Sequence, residues 1–339
     1  MSNSLSLLSK YRTQLMGVAM LAVMFFHGMD FKIYFIEWIR WTGTSGVDMF
    51  FFLSGIGIYY SVSNNTLKEY YLKRVMRIIP VFIPLAVILA VLKVLLYDID
   101  PSIILYNLFI FFSIWPDIPC VFWYIPCAML LYILSPAFYR FFKKRYSVSI
   151  VCALIFGVFV SVFFIYIEYY RILIFTIRIP IYFLGFYVGY LIKDKNVVLT
   201  KKQECLAFFV MLFGIGLIYI TIESFSWDTL RETGLRWSPF FLVIPPFCFF
   251  LAKIMDQFKG YSFPVLSFVG KYSLGIYILH ESVLGMLTWS LPAARPVKNI
   301  LAIFLVFILA YLWENLVSRI IVKCVRNKSS LPTSYLSNK

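Results

Sequence analysis

Two histidines carry the first candidate chemistry in this sequence. They are the only histidines in the chain, and both His27 and His280 lie within predominantly apolar stretches. The unperturbed pKa of an imidazole is about 6.5, so a histidine can act as a general base near neutral pH. Ionisable groups within apolar helices are costly and usually face a cavity or a partner. His27 is therefore a candidate base, and a structural histidine that hydrogen-bonds to a neighbouring helix is the alternative.

Asp48 is the carboxylate that could work with His27. It lies in the segment 46–55, which reads GVDMFFFLSG, at the start of the second apolar run. If the first two helices are antiparallel, His27 and Asp48 lie at similar depth. A carboxylate beside an imidazole fixes its tautomer and stabilises its protonated form, so we expect Asp48 to orient His27. Ser54 and Gly55 are expected to allow close helix approach, and a catalytic serine there is the weaker alternative.

Arg74 and Arg77 form a basic pair just before Pro80. Because they are three residues apart, they share one face of a helix. Two guanidinium groups so placed suit the bidentate binding of phosphate. Ordinary anchoring of a helix end at the cytoplasmic membrane surface explains the same spacing, and on spacing alone that explanation is favoured.

Aromatic residues mark two further positions. Trp123 and Tyr124 lie at the start of a later apolar run, where aromatic belt residues are common. Tyr277 and His280 are three residues apart and share a helix face, and Glu281 follows directly. For this second group, structural hydrogen bonding and the lining of a functional cavity both remain open.

The composition indicates which elements must position these residues. Of 339 residues, 62% are hydrophobic and 14% are charged, with a mean hydropathy of +0.86. A soluble domain carries about 25% charged residues, so a soluble enzyme, a disordered protein and a disulfide scaffold are excluded. The six cysteines show no CxxC pairing and are expected to be buried thiols. We expect an all-α, polytopic bundle of membrane helices.

Ten apolar runs approach the roughly 20 residues that a membrane-spanning helix needs. A further run, 102–115, is too short and is expected not to span, which keeps the basic segment 143–145 on the cytoplasmic side. Ten spans place both termini in the cytoplasm. We expect a single membrane-embedded domain over residues 1–339, with spans between about 13 and 322 and a polar cytoplasmic tail at 324–339. The predicted spans are 13–31, 45–63, 78–97, 120–141, 147–168, 172–192, 204–222, 237–254, 263–290 and 299–322.

The formal net charge of +15 has a membrane explanation. The basic residues fall in short clusters between apolar runs, which is the positive-inside pattern. We therefore expect membrane lipids, and no nucleic acid, among the partners of the chain. No cleavable signal peptide is expected, because the first apolar run lacks a small-residue cleavage site.

Taken in order, these segments resemble membrane acyltransferase family 3, whose members O-acylate sugars and cell-envelope polymers. The resemblance covers most of the chain. It rests on His27, the GVDMFFFLSG segment, the RVMR segment at 74–77, the Trp-Tyr pair at 123–124 and the SLGIYILH segment at 273–280.

The first motif departs from the usual pattern of the family. Members usually carry an arginine eleven residues before the histidine, and that position here is Met16. The nearest arginine is Arg12, fifteen residues before His27. At about 100° per residue, Arg12 can still point to the same side of the helix, one turn closer to the cytoplasm.

The resemblance implies an O-acetyltransferase that uses acetyl-coenzyme A, or another acyl-coenzyme A, as the donor. His27 would be the base or the acyl acceptor, with Asp48 beside it. The residues that would bind the donor are Arg12, Arg74 and Arg77. The residues that would bind the acceptor are Trp123, Tyr124, Tyr277 and His280. No metal is expected to take part.

The expected acceptor is a hydroxyl of a cell-surface glycan or of its lipid-linked precursor. The expected location is the inner membrane of a bacterium, and a separate envelope-assembly protein is an expected partner. A transporter or flippase for a lipid-linked sugar is the alternative function, since intramembrane histidines also occur in proton-coupled carriers.

Overall fold

The chain is built almost entirely from helices. A computed structural model describes residues 3–28, 33–97, 122–258, 260–290 and 295–327. Within these ranges, β structure is limited to one isolated bridge between Ser4 and Val198. The predicted all-α fold class is therefore confirmed. The helices are α1 (Leu7–Lys10), α2 (Arg12–Gly28), α3 (Tyr34–Thr42), α4 (Ser45–Asn64), α5 (Leu67–Tyr97), α6 (Tyr124–Lys144), α7 (Tyr146–Tyr166), α8 (Leu173–Thr176), α9 (Ile179–Lys193), α10 (Lys201–Ser224), α11 (Trp227–Glu232), α12 (Phe240–Gln257), α13 (Pro264–Lys271), α14 (Ser273–Ser290) and α15 (Arg295–Asn327).

Many of these helices are long and apolar enough to cross a bilayer. Within the described ranges, eight segments qualify, which confirms a multi-pass membrane protein. Helix α2, with 17 residues, and helix α14 are not among the eight. The count of ten spans and the cytoplasmic location of both termini stay predictions. The eight segments are Tyr34–Asn64, Leu67–Leu96, Tyr124–Lys144, Tyr146–Tyr166, Leu173–Lys193, Lys201–Ser224, Phe240–Gln257 and Val297–Lys323.

Two predictions fall on residues outside the described ranges. The short run 102–115 lies wholly outside them, and so does the predicted tail from residue 328 onwards. Residues 324–327 belong to α15, so the last helix extends into the segment predicted to be tail.

Helices α7 and α10 expose most of their apolar side chains. In α10 only 11% of the most apolar stretch is buried inside the protein. Phe209 and Phe213 of α10 and Phe159 of α7 are each more than half exposed. Apolar patches of this extent are unfavourable in water, so these faces are suited to contact with lipid acyl chains.

The chain divides into two compact units. The first unit comprises residues 1–26, 32–65 and 123–271, and the second comprises residues 27–31, 66–122 and 272–339. Helices α1, α3, α4 and α6 to α13 belong to the first unit, together with α2 as far as Phe26. Helices α5, α14 and α15 belong to the second, together with the last two residues of α2, His27 and Gly28.

Helix α4 is the core of the first unit. Every residue from Gly46 to Ile56 is buried, so the helix is enclosed on all sides. Its closest neighbour is α9, and glycines let the two backbones meet. A Cβ at Gly55 would lie 2.2 Å from the carbonyl oxygen of Tyr182, and a Cβ at Gly185 would lie 2.1 Å from that of Phe52. The predicted role of Gly55 in close helix approach is confirmed.

Small residues also bring α2 against its neighbours in the first unit. A Cβ at Gly46 would lie 2.3 Å from the carbonyl oxygen of Ala19, where the start of α4 meets α2. A Cβ at Gly17 would lie 2.2 Å from the carbonyl oxygen of Leu266, where α2 meets α13. These approaches fix the depth at which the first turn of α4 lies along α2.

Within the second unit, hydrogen bonds between side chains and backbone groups link neighbouring helices. The amide of Gly275 in α14 donates to Glu314 Oε1 in α15 at 2.8 Å. The indole of Trp313 in α15 donates to the carbonyl oxygen of Val81 in α5 at 3.0 Å. Polar links of this kind fix helix register where apolar packing alone is not directional.

Gly185→Ala is expected to destabilise the protein, because the backbones of α4 and α9 would have to separate to admit the Cβ. Overpacking of a tight core costs about 1–3 kcal/mol. The midpoint of thermal unfolding of the detergent-purified protein should fall measurably. Gly216→Ala in α10 is the matched control, since its Cβ would meet no atom within 4 Å. Equal midpoints for the two variants would contradict the packing described.

Candidate active site

Asp48 forms an ion pair with an arginine. Asp48 Oδ2 lies 3.1 Å from Nη2 of Arg178, which directly precedes α9. Both residues are almost completely buried, with 2% and 1% of their surfaces exposed. Removing two charges from water is costly, and only their mutual attraction and further polar contacts offset that cost. The ion pair therefore joins the first turn of α4 to the start of α9.

Arg178 is also surrounded by aromatic rings and backbone. Its guanidinium carbon lies 5.4 Å from the ring centre of Trp123 and 5.6 Å from that of Trp237. Its Nη1 donates to the carbonyl oxygen of Ile174. Cation–π contacts of this kind are strongest when the cation is desolvated. Trp123, predicted to bind the acceptor, is thus placed beside the buried ion pair.

Two more arginines lie at the same end of the first unit. Arg40 pairs with Glu37 and donates from Nη1 to the carbonyl oxygen of Phe26 at 2.7 Å, near the end of α2. The guanidinium carbon of Arg236 lies 3.6 Å from the ring centre of Trp227 and 5.0 Å from that of Trp41. We call Arg40, Arg178 and Arg236 with Trp41, Trp123, Trp227 and Trp237 the arginine–tryptophan cluster.

Arg236 carries the least compensated charge of this cluster. Burial, together with repulsion from Arg178 and Arg40, lowers its pKa to about 9. Its charge is therefore retained at neutral pH. Within the described ranges it has no carboxylate within 4.0 Å, unlike Arg40 and Arg178.

The two histidines meet in the second unit. The ring centres of His27 and His280 are 5.1 Å apart, with the rings inclined at 68°. His280 is buried, and its Nδ1 lies 2.7 Å from the carbonyl oxygen of Tyr277. Because a carbonyl only accepts, Nδ1 carries the proton and Nε2 has a free lone pair. Nε2 has no hydrogen-bond partner in the described part of the chain.

Glu281 completes a cluster of three ionisable groups with the histidines. One ligand atom from each of His27, His280 and Glu281 lies within 4.8 Å of the others. Two imidazole nitrogens and a carboxylate oxygen are a donor set that suits a divalent metal ion. The expectation that no metal takes part stays a prediction.

Tyr277 belongs to the same local group. Its ring centre lies 5.5 Å from that of His280, one helical turn away on α14. It is buried, and its backbone carbonyl oxygen accepts the hydrogen bond from His280 Nδ1. Its predicted proximity to His280 is confirmed, whereas acceptor binding by either residue stays a prediction.

Arg12 lies in a notch on the surface of α4. Its Nε donates to the carbonyl oxygen of Leu53 at 3.0 Å. A Cβ at Gly57 would lie 2.3 Å from Arg12 Nη2, so the absence of a side chain at Gly57 makes room for the guanidinium. The half-buried Arg12 is thus an interhelical group and not only an anchor at the surface.

The other predicted ligands have simpler surroundings. In α5, the guanidinium carbon of Arg74 lies 5.9 Å from the ring centre of Tyr70, while Arg77 is exposed. Tyr124 packs with its ring centre 5.0 Å from that of Phe51 and 5.7 Å from that of Phe50. The roles assigned to these residues stay predictions, as does the orientation of His27 by Asp48.

Sequence motifs did not point to Arg178, Arg40, Arg236 or Trp237. A signal existed for Arg178, because it is a lone arginine inside the predicted span 172–192 and such a residue requires a partner. Arg40 and Arg236 lie between apolar runs, where a basic residue is ordinarily solvated.

A comparison with known proteins assigns the family. The family model Acyl_transf_3, which describes an acyltransferase domain, matches residues 14–317 of the chain. The chain belongs to acyltransferase family 3. The resemblance inferred from the five sequence segments is therefore confirmed, and this acyltransferase keeps His27, Asp48 and the 74–77 segment within the matched region.

One relative points in the same direction. The acyltransferase is 26% identical over 289 residues to "Putative acetyltransferase ORF330" of Acidianus two-tailed virus, covering 80% of this chain and 83% of the relative. No solved structure is significantly similar to the chain.

Asp48→Asn and Arg178→Met are each expected to destabilise the acyltransferase strongly, because each leaves one partner of a buried ion pair uncompensated. Breaking such a pair costs about 3–5 kcal/mol. The double variant should cost less than the sum of the two, as measured by thermal unfolding of the purified proteins.

The exposed pair Arg231–Asp228 provides the control for this experiment. Arg231→Met should change the unfolding midpoint little, because exposed ion pairs contribute about 0–1 kcal/mol. Strictly additive effects of the Asp48 and Arg178 substitutions would show that the two charges do not interact.

Proposed function

We propose that this acyltransferase transfers an acyl group, most often acetyl, from acyl-coenzyme A to a hydroxyl of a cell-surface glycan or its lipid-linked precursor. Membership of the family supports an acyl transfer reaction. The observation that carries the proposal is the pairing of the two histidines of the chain in the second unit. Family membership favours this enzyme over a transporter or flippase for a lipid-linked sugar.

His27 is the proposed reacting group. As a general base it removes the proton of the acceptor hydroxyl while that oxygen attacks the thioester carbonyl. The tetrahedral intermediate collapses, the carbon–sulfur bond breaks, and the coenzyme A thiolate takes the proton from the imidazolium. As an acyl acceptor, His27 instead attacks the thioester itself and releases the thiolate. The hydroxyl oxygen then attacks the acyl-imidazole, the imidazole leaves, and the proton of the hydroxyl goes to the thiolate.

His280 is the proposed positioning residue for His27. The Tyr277 carbonyl fixes its tautomer, which leaves the Nε2 lone pair available. A lone pair at that nitrogen can accept an N–H from His27 and so hold the reactive imidazole in one orientation. Glu281, the third member of the cluster, adds a negative charge that favours the imidazolium formed during transfer.

Arginines are the proposed ligands of the donor. Arg74 and Arg77 suit the phosphates of coenzyme A, because a guanidinium offers a planar pair of donors to phosphate oxygens. Arg12 assists from the notch at Gly57. We place the enzyme in the inner membrane of a bacterium, with an envelope-assembly protein as a further partner and no role for nucleic acid.

His27→Ala is expected to reduce acyl transfer by at least about a hundredfold, which is the contribution typical of a general base. His280→Gln should lower kcat while leaving the KM for acyl-coenzyme A unchanged, since it alters orientation and not donor binding. The measurement is release of coenzyme A by purified protein, together with mass spectrometry of the envelope glycans of the producing cells.

Folding is controlled by comparing unfolding midpoints and size-exclusion profiles of the variants with those of the unsubstituted protein. Normal ester-linked acetyl in cells carrying a folded His27→Ala protein would contradict the proposal. A second result would also contradict it: activity that is lost when a chelator is added and returns when a metal ion is added. A metal bound to His27 would occupy the imidazole lone pair that a general base needs.

Gly57→Ala is expected to weaken donor binding without disturbing the fold. The new Cβ would displace the far end of a flexible side chain, the Arg12 guanidinium, and not the backbone. The KM for acyl-coenzyme A should rise severalfold at unchanged kcat and unchanged unfolding midpoint. Gly216→Ala serves again as the neutral control, and an unchanged KM for Gly57→Ala would remove Arg12 from the donor site.

A further inference from the structure

Arg236 differs from the other two arginines of the arginine–tryptophan cluster. Arg40 and Arg178 pair with Glu37 and Asp48, whereas no carboxylate of the described residues lies within 4.0 Å of Arg236. The third arginine, Arg236, feels the charges of both others. Repulsion between like charges raises the free energy of the site, and a bound anion would lower it.

Several donors at this end of the unit are buried without a hydrogen bond. Arg178 Nε and Arg236 Nη1 have no partner in the described part of the chain, and neither does Trp38 Nε1, one helical turn before Trp41. Arg178 is only 1% exposed. Asp48 Oδ2, which lies beside Arg178, is itself a buried acceptor without a hydrogen bond. Because buried N–H groups are nearly always paired, the donors of Arg236 and Trp38 are the ones that indicate a missing acceptor.

The surroundings of Arg236 also suit a particular kind of anion. Its guanidinium stacks on Trp227 and is flanked by Trp41, which leaves planar donors beside broad aromatic surfaces. Guanidinium groups bind carboxylate and phosphate through two parallel hydrogen bonds. The rings hold the guanidinium in one orientation, so the cluster is suited to a carboxylate or a phosphate.

Helix geometry reinforces the preference for negative charge. Helices α4, α9 and α12 begin at Ser45, Ile179 and Phe240, close in sequence to Asp48, Arg178 and Arg236 respectively. The amino end of a helix carries a partial positive charge. The three ends therefore add to the field of the arginines.

We propose that the arginine–tryptophan cluster binds the acidic group of the acceptor, with Arg236 as its main ligand. The group is a carboxylate on a sugar or the pyrophosphate that links a sugar to its lipid. This inference rests on the proposed function, because it assigns the cluster to the acceptor side of acyl transfer. It makes the preferred acceptor an acidic sugar or a pyrophosphate-linked one.

Binding is tested without acyl-coenzyme A, so that the result does not depend on catalysis. A glucuronic acid-terminated disaccharide is compared with its glucose-terminated counterpart, and farnesyl pyrophosphate is compared with farnesol. Quenching of tryptophan fluorescence in the detergent-purified protein gives each Kd. At least one acidic probe should bind about tenfold or more tightly than its neutral counterpart, and added salt should reduce the difference.

Arg236→Gln should abolish the preference for the acidic probe, and Arg236→Lys, which keeps the charge but loses the planar donors, should restore it in part. Arg231→Gln, five residues earlier and exposed, is the matched control and should leave binding unchanged. Preference for the disaccharide assigns the site to the sugar carboxylate, and preference for the pyrophosphate assigns it to the lipid linkage.

Equal binding of acidic and neutral probes by the unsubstituted protein would overturn the proposal, whether or not the Arg236 variants fold. So would an unchanged preference in folded Arg236→Gln. Failure of the proposed function is distinguishable, because acyl transfer would then be absent while selective binding of the acidic probe persisted.

Discussion

A charge buried in a membrane protein needs an opposite charge held beside it, and Asp48 and Arg178 are such a pair. Neither residue can reach water, so neither can keep its charge if the other moves away. Their contact requires the first turn of α4 to meet the start of α9. The glycines Gly55 and Gly185, further along the same two helices, are what allow that meeting. The ion pair and the glycine contact thus depend on each other.

The features of this protein that depend on local sequence and composition could be predicted from the sequence. Helical class, membrane insertion and the close approach at Gly55 follow from apolar content and from small residues within a span. The pairing of Asp48 with Arg178 could not be predicted, because the partner lies far along the chain and many arginines compete for the role. The same limit applies to His27 and His280, which lie near opposite ends of the sequence and share a ring contact only in the folded second unit.

Cations of two kinds are used in the first unit. At the start of α4, α9 and α12 they are arginines stacked on indole rings. Near the other ends of α9 and α12 they are lysines: Lys193 lies beside Ser63 and Asn64, and Lys253 lies beside Glu204. A guanidinium is weakly hydrated and planar, whereas an ammonium is a compact, strongly hydrated charge. The arginine end is therefore suited to selective recognition in a partly dry site, and the lysine end to anchoring at a wet surface.

The contrast between enclosed α4 and outward-facing α10 has an evolutionary consequence. On the exposed face of α10, replacing one apolar side chain by another exchanges similar contacts, because lipid tails are as apolar as leucine. Drift among leucine, isoleucine, valine and phenylalanine should be nearly free there. From Gly46 to Ile56 in α4, each position faces protein on every side, and a change in volume or polarity would be felt by several neighbours at once. The sequence of such a protein can therefore change quickly at its lipid boundary while its central helix is held almost constant.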